Sequence, residues 1–351
     1  MMVALHTLRY CFILISITLS MLCFVLILNQ PVPYSERYIF NHTELHNRTQ
    51  ENTSAEHLNI TSPCFNNITL SDEVVKKVFS RWRTTRPRDN ILTVTFYGRL
   101  GNNMFEYASL LGIAVRTGKQ PLVPNSNPLS KLFNISFIGD VSNKSWTHLT
   151  ERQYGTFDCK LFTLPGGNVE ISRYLQSWKY FHSIRSSIRK ELIFTQKYIE
   201  LSSQCFQKHT IQYKNRTVIG IHVRRTDMAS GGTRGYLSAP LSYIQKAIAH
   251  MKAKFHNPVF LIATDDKIWC RANVVSTDII LLDNTDPFLD FATLTLCDHM
   301  IMTVGTFGWW AAWLADGYAV YYKDFPRPGS VLARGIKNED HFLPHWVPLG
   351  A

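Results

Sequence analysis

Five short runs of apolar and β-branched residues in the second half of the chain constrain its fold most. Stretches of helical length separate them: Val218–Val223, Val259–Ala263, Ile279–Leu282, Met300–Val304 and Ala319–Tyr322. This alternation predicts a parallel, doubly wound α/β sheet. In such a sheet, ligands bind at the carboxyl ends of the strands, where the strand order reverses.

Polar or glycine-rich residues directly follow four of these runs. They are Arg224 to Asp227, Thr264 to Asp266, Asp283-Asn284, and Gly305 to Gly308. Because the strands are parallel, we expect these residues to meet at one edge of the sheet.

The first half of the folded region also mixes strand and helix patterns. We predict a strand at Ile91–Phe96, a helix at about Met104–Arg116 and a second helix at about Tyr180–Phe194. Asn103 and Glu106 have the spacing of a capping box, although Ser or Thr is the usual first residue.

The N-terminal region predicts a membrane anchor and a stem. No charged residue occurs from Tyr10 to Leu28, and this run is longer than the roughly 7–15 apolar residues of a signal-peptide core. A cleaved signal peptide is the alternative. The predicted boundaries are a cytosolic tail at 1–9, an anchor at 10–28, a stem at 29–71, an N-terminal α/β domain at 72–215 and a C-terminal Rossmann-like domain at 216–351.

Glycosylation sequons indicate a luminal location for everything beyond the anchor. They begin at Asn41, Asn47, Asn52, Asn59, Asn67, Asn134, Asn143 and Asn215. An oxidising lumen permits up to two disulfides among the five cysteines beyond the anchor. The net charge of +11 then favours an anionic small substrate or a membrane surface over nucleic acid.

Two strand-to-helix turns have the residues of an anion site. In Gly98–Met104, glycines such as Gly101 let the backbone approach a ligand, and the helix start with Asn102 offers free N–H groups. In the turn that begins at Gly305, Thr306 and nearby N–H groups can bind a phosphate and Phe307 can face a sugar or base. We expect Trp309, Trp310 and Trp313 to pack in the core, since aromatic residues at helical spacing are usually buried.

His222–Asp227 is the strongest local signal. An arginine at a strand end, here Arg224, can pair with two pyrophosphate oxygens and hold the charge of a leaving group. We expect Arg225 to form a structural ion pair with Asp227. The chain contains no D-x-D triad, which agrees with phosphate binding by arginine and with the absence of a metal site.

Asp290 is a candidate for base recognition. A buried carboxylate accepts two parallel hydrogen bonds, which suits the N1–H and amino group of guanine. The alternative is a helix cap, and the sequence does not separate the two.

Three segments in this order, Gly98–Glu106, His222–Asp227 and Met302–Leu314, resemble the motifs of the galactoside alpha-1,2-fucosyltransferase family, glycosyltransferase family 11. The similarity covers about residues 92–347. Thr226 and Asn103 depart from the glycine and glutamine that are common in the family.

The resemblance implies a GT-B-like fold of two facing Rossmann-like domains, with the N-terminal domain at 72–215 on the acceptor side and the C-terminal domain at 216–351 binding GDP-fucose. It also implies transfer of L-fucose from GDP-fucose to the 2-hydroxyl of a terminal beta-galactoside, with inversion, without a metal or other cofactor, in the Golgi lumen on a single-pass type II anchor. The partners are then GDP-fucose, a galactose-terminated glycan and the membrane; nucleic acid is not expected, and a homodimer is left open. The implied donor-binding residues are His222, Arg224, Arg225, Asp265, Asp290, Thr306, Phe307, Gly101 and Asn102.

The reaction needs charge stabilisation or a base, and we assign Arg224 and Asp227 to these catalytic roles. Glu106 and Asp265 are alternative carboxylates. Two other functions stay open: a fucosyltransferase with a peptide or core-sugar acceptor, and a non-catalytic glycan-binding membrane glycoprotein.

Overall fold

The structure is a computed structural model that describes residues 71–85, 87, 89–229 and 234–351. The predicted tail, the anchor and the five sequons of the stem lie outside these residues. Within the described ranges, no helix combines the length and the apolar character needed to cross a membrane.

The first half of the described chain forms a small parallel sheet with helices. Its elements are α1 (Asp72–Thr84), β1 (Ile91–Val94), α2 (Leu100–Thr117), β2 (Gln120–Pro121), β3 (Val123–Pro124), β4 (Ile138–Gly139), β5 (Thr147–Thr150), β6 (Val169–Ser172), α3 (Arg185–Glu191) and α4 (Gln196–Thr210). Four strands pair in the order β2-β1-β6-β5, all parallel, and β3 pairs separately with β4. We call this part the first lobe.

The second half forms a larger sheet. Its elements are β7 (Val218–Val223), α5 (Thr226–Ala229), α6 (Leu241–Lys254), β8 (Val259–Thr264), α7 (Lys267–Asn273), β9 (Ile279–Leu281), α8 (Pro287–Leu294), β10 (His299–Met302), α9 (Thr306–Ala315), β11 (Ala319–Tyr322), α10 (Val331–Arg334), α11 (Asn338–His341) and β12 (Val347–Leu349). Its six parallel strands have the order β12-β11-β10-β7-β8-β9. We call this part the second lobe.

This strand order confirms the predicted α/β class and the doubly wound sheet. The chain runs from β7 outward through β8 and β9, then returns to the other side of β7 and continues through β10 to β12. The strand order therefore reverses between β7 and β10, which is where Rossmann-like sheets bind ligands. With the parallel sheet of the first lobe, this gives the GT-B-like arrangement of two α/β units.

The predicted capping box at Asn103 and Glu106 is wrong. Helix α2 begins at Leu100, and its N-cap is Arg99, which makes no side-chain capping bond. The Asn103 amide instead donates to the carbonyls of Tyr97 and Arg99 at 3.1 Å from within the helix. Glu106 accepts from the Tyr97 N–H, so both side chains fix the turn before the helix.

The continuous helix predicted at Tyr180–Phe194 is also wrong. Short 3-10 turns occupy Trp178–Tyr180 and His182–Ile184, and only α3 is α-helical. The backbone of Phe181 leaves the helical region, with φ −124° and ψ 4°. Its ring stacks on Trp310 at 5.5 Å, so aromatic packing between the lobes outweighs local helix preference here.

Helices α2 and α9 hold the two lobes together through an aromatic core. Phe105 of α2 contacts the rings of Trp309 and Trp310 at 4.5 and 5.1 Å. Trp309, Trp310 and Trp313 are all buried, which confirms the core-packing interpretation of these tryptophans.

The described ranges contain four cysteines and three of the predicted glycosylation sequons. Cys159 is disulfide-bonded, whereas Cys205, Cys270 and Cys297 are buried free thiols. Of the predicted glycosylation sites, Asn134, Asn143 and Asn215 lie in the described residues, and all three are exposed.

Candidate functional site

Arg224 lies at the end of β7, at the reversal of the strand order. The Thr303 hydroxyl, which follows β10, accepts a hydrogen bond from the Arg224 backbone N–H at 3.0 Å. The guanidinium forms a fork with Asp227, with Nε–Oδ1 and Nη2–Oδ2 distances of 2.9 and 2.6 Å. The expected Arg225–Asp227 pair is therefore wrong, because the chain turns into α5 and brings Asp227 back to Arg224.

The remaining nitrogen of Arg224 is available to a ligand. Nη1 has no hydrogen-bond partner in the described part of the chain and lies beside Gly305, where an added Cβ would come within 2.5 Å of it. Gly305 has φ +90° and directly precedes α9, whose first N–H groups are unpaired as in any helix. A guanidinium and a helix N-terminus thus meet at the strand switch, and both favour an anion.

Arg225 and Asp265 have structural partners. The Arg225 guanidinium stacks 3.7 Å above the Trp269 ring and lies 3.5 Å from the Asp266 carboxylate. Asp265 accepts hydrogen bonds from the backbone N–H groups of Arg225 and Thr226. Both side chains therefore fix the loop that follows β7 and carries Arg224. Their predicted contact with the donor stays a prediction.

His222 lies beneath Phe307. Its ring stacks on Phe307 with centroids 4.9 Å apart, and Phe307 also contacts Phe291 edge-on at 5.0 Å. Burial, with the nearby Arg224 charge, lowers the pKa of His222 to about 4, so the imidazole is neutral at physiological pH. His222 therefore supports the half-buried Phe307 ring beside the anion site.

Asp290 lies within α8, and the cap of that helix is Asp286, so the capping alternative for Asp290 is wrong. Its carboxylate accepts a hydrogen bond from the Asn284 amide at 2.7 Å. The same amide nitrogen is 3.4 Å from the Cys205 sulfur. Burial raises the pKa of Asp290 to about 6.

The glycine turn of the first lobe, at Gly98–Met104, lies beside the start of α9. The Thr306 hydroxyl donates to the Asn102 side-chain oxygen at 2.9 Å, and that oxygen also accepts from the Gln176 amide at 3.0 Å. An added Cβ on Gly101 would lie 2.5 Å from the Thr306 backbone carbon. Gly101 is therefore required for close approach of α2 and α9, and Thr306 faces Asn102.

The structure thus brings together residues from the three segments singled out in the sequence. Arg224, Asp227, Thr306 and Asn102 surround the switch point, with Phe307 beside them. In the described ranges, no cluster of three or more His, Cys, Asp or Glu side chains has the geometry to hold a metal ion.

Two positioning residues were missed by the sequence interpretation, whereas Asn284 was among the polar residues expected at the strand ends. Thr303 directly follows β10, a signal that could have identified it. Gln176 contacts the site from a distant loop of the first lobe, and nothing in the local sequence indicates this contact.

The fold and site together define a Rossmann-like α/β protein with an arginine-based candidate anion site at its strand switch. Comparison with known families then gives a more specific assignment. The model for Glycosyl transferase family 11 matches residues 58–350. The chain belongs to this family.

Individual proteins show the same similarity. The chain is 35% identical to galactoside 2-alpha-L-fucosyltransferase SEC1 of Bos taurus, with 76% of this chain and 75% of the relative covered. It is 32% identical to galactoside alpha-(1,2)-fucosyltransferase 2 of Rattus norvegicus, with 74% and 77% covered. Among solved structures, a mutant of Arabidopsis thaliana FUT1 in complex with GDP is 13% identical over 87% of this chain and 82% of that chain, with a TM-score of 0.44.

Proposed function

We propose that the protein is a galactoside 2-alpha-L-fucosyltransferase that moves L-fucose from GDP-fucose to the 2-hydroxyl of a terminal beta-galactoside. The observation that carries this proposal is the position of Arg224: its Nη1, which has no hydrogen-bond partner among the described residues, lies beside the N-terminus of α9, at the strand switch of a family 11 chain. A pyrophosphate needs this combination of positive charge and free donors.

The residues around Arg224 fit a leaving-group role. As the bond between the anomeric carbon and the phosphate oxygen breaks, GDP takes the electron pair, and Arg224 with the α9 N–H groups stabilises its charge. The acceptor oxygen bonds to the opposite face of the anomeric carbon, so the configuration is inverted. The hydroxyl proton passes to a base, and Asp227 is the residue predicted for that step.

The guanine base of the donor nucleotide is proposed to bind at Asp290 and Asn284. Asp290 and Asn284 lie together beyond β9, and the residue after Asp290, Phe291, contacts the Phe307 ring edge-on. We propose that Asp290 accepts hydrogen bonds from guanine, and that no metal is needed because arginine supplies the positive charge.

The proposal extends to the location of the enzyme. An apolar run at residues 10–28, followed by sequons that continue into exposed Asn134, Asn143 and Asn215, fits a single-pass type II protein with its catalytic part in the Golgi lumen. Immunofluorescence with protease protection and glycosidase digestion tests this placement.

The activity is tested with the full-length chain, GDP-fucose and a panel of defined acceptors in excess chelator. We expect GDP release with terminal beta-galactosides and an alpha-1,2 linkage in the product. Arg224→Ala should lose most of the activity, and exposed Arg81→Ala of α1 should retain it. Fucose found only on peptide or core-sugar acceptors would favour the other fucosyltransferase function, and loss of turnover in chelator would contradict the metal-free proposal.

A further inference from the structure

A cavity of about 340 Å³ lies over the first lobe. Its walls come from the end of β1 and the adjoining glycine turn, from the segment after β3, and from β6. The lining residues used below are Thr95, Gly98, Asn103, Asn127, Trp146 and Glu170. Ligand sites of roughly 300 Å³ or more hold small molecules such as one sugar ring and part of the next.

The cavity is close to the anion site. Gly98 and Asn103 line its wall, and the residue before Asn103, Asn102, bonds Thr306 at the start of α9. A ligand in the cavity therefore lies on the first-lobe side of the contact between the lobes, opposite the nucleotide residues of the second lobe.

The polar groups of the cavity include a buried donor without a partner. Asn127 is only 4% exposed, and its Oδ1 accepts from the Leu129 N–H at 2.9 Å, which fixes the orientation of the amide. Its Nδ2 has no hydrogen-bond partner among the described residues. A buried N–H without a partner costs free energy, and a ligand oxygen would remove that cost.

Two other walls fit a sugar. The half-buried Glu170 carboxylate accepts from the Thr95 hydroxyl at 3.1 Å and lies 2.8 Å from His148 Nδ1, so it is held in place with acceptor capacity to spare. The half-exposed Trp146 ring makes no ring contact with another described residue. Sugars present hydroxyls at the ring edge and C–H groups on a face, and the latter stack on indole.

We propose that this cavity binds the terminal galactose of the acceptor glycan, with Trp146 against the sugar face, Asn127 donating to a sugar oxygen and Glu170 accepting from a sugar hydroxyl. The inference depends on the proposed function for the identity of the sugar. Within the lobe already expected on the acceptor side, it assigns acceptor recognition to three residues that lie outside the motifs of the sequence analysis.

Steady-state kinetics of the full-length chain test the three contacts. Trp146→Ala, Asn127→Asp and Glu170→Gln should each raise the KM for a beta-galactoside about tenfold, the size expected for loss of one such contact. The KM for GDP-fucose and the slow hydrolysis of GDP-fucose without acceptor should change less than about twofold. Asn127→Asp is informative because it keeps the oxygen that caps Leu129 and replaces the donating nitrogen with an acceptor oxygen, which repels the sugar oxygen.

Two further variants separate recognition from folding. Trp146→Phe keeps an aromatic face and should restore most of the acceptor affinity. Glu73→Gln, an exposed carboxylate on α1, is the matched control for Glu170→Gln and should behave as wild type. An unchanged acceptor KM in all three cavity variants of an active enzyme would overturn the inference and leave the proposed function intact.

Galactoside binding to the cavity can also be tested without measuring fucose transfer. Saturation-transfer NMR with methyl beta-galactoside should detect binding to the wild-type chain that is lost in Trp146→Ala. If the wild-type chain transfers no fucose but binds the galactoside at Trp146, the proposed function fails and the cavity assignment stands. Equal or absent binding in both chains overturns the assignment.

Discussion

At the scale of single residues, Asp227 is placed to act on Arg224. The fork between them, with the positive charges of Arg224 and Arg99, holds the pKa of Asp227 below its usual value. A carboxylate with a low pKa is a weak base but a strong partner for a guanidinium. The geometry therefore supports a positioning role for Asp227, and the base role stays a prediction.

Asp227→Asn separates these two roles. We expect the KM for GDP-fucose to rise about tenfold, since one charged hydrogen-bond partner of Arg224 is lost, with the acidic limb of the pH–rate profile unchanged. If Asp227 is instead the base, kcat falls by a factor of ~100 or more and that acidic limb disappears.

We expect Asp290 to make nucleotide binding depend on pH. Its pKa is raised to about 6 by burial, so the carboxylate is mostly ionised at pH 7 and mostly protonated at pH 5. The ionised form accepts from guanine, and guanosine affinity should fall as the pH drops through about 6. Calorimetric titration with guanosine from pH 5 to 7.5 measures this without the terminal phosphate of GDP, which itself titrates near about pH 6, and Asp290→Asn is the control that should show a flat profile. A wild-type affinity that is constant over this range would contradict the assignment.

At the scale of elements, the close approach of α2 and α9 determines whether the site forms. Gly101 and Thr306 are in backbone contact, and the Asn102–Thr306 hydrogen bond lies next to it. These contacts join the first lobe to the N-terminus of α9, which supplies the proposed phosphate donors.

Gly101→Ala should therefore destabilise the protein by about 1–3 kcal/mol, because the added methyl group forces the helices apart and this exceeds the gain in helix propensity. Thermal unfolding monitored by circular dichroism measures the change. Gly166→Ala is the matched control, since its added Cβ meets nothing within 4 Å. Equal melting temperatures for the two variants would show that the helices tolerate separation.

Strands of the second lobe could be predicted from sequence, whereas several first-lobe elements could not. β7 and β11 have the predicted bounds, because buried parallel strands are continuous apolar runs. β12 was missed because it is short and contains Pro348. The segment at Tyr180–Phe194 follows long-range aromatic packing, which local periodicity does not report.

Some residues of the candidate site could likewise be predicted from the sequence, and others could not. The sequence analysis predicted that Arg224, Thr306 and Asn102 lie on turns that follow strands. In the structure these turns converge. The partner of Asp227 depended on a tight turn after β7 that cannot be derived from side-chain alternation. The acceptor cavity was not predicted, since Asn127, Trp146 and Glu170 come from three separate segments.

At the scale of the whole molecule, the two lobes divide the proposed chemistry. The second lobe supplies Arg224, Asp290 and the α9 N-terminus for the donor, and the first lobe supplies the cavity for the acceptor. The aromatic contacts between α2 and α9 hold the two together. The boundary near residue 215 that was predicted between two domains stays a prediction.

The central claim is that the guanidinium of Arg224 binds the phosphates of the donor nucleotide. The most direct measurement is calorimetric titration of wild-type and Arg224→Ala chains with GDP and with guanosine, in chelator. Arg224→Ala should weaken GDP binding roughly tenfold to a hundredfold, as expected for lost charged hydrogen bonds, and leave guanosine binding unchanged. Equal GDP affinity in the two chains, or an equal loss for guanosine, would contradict the account.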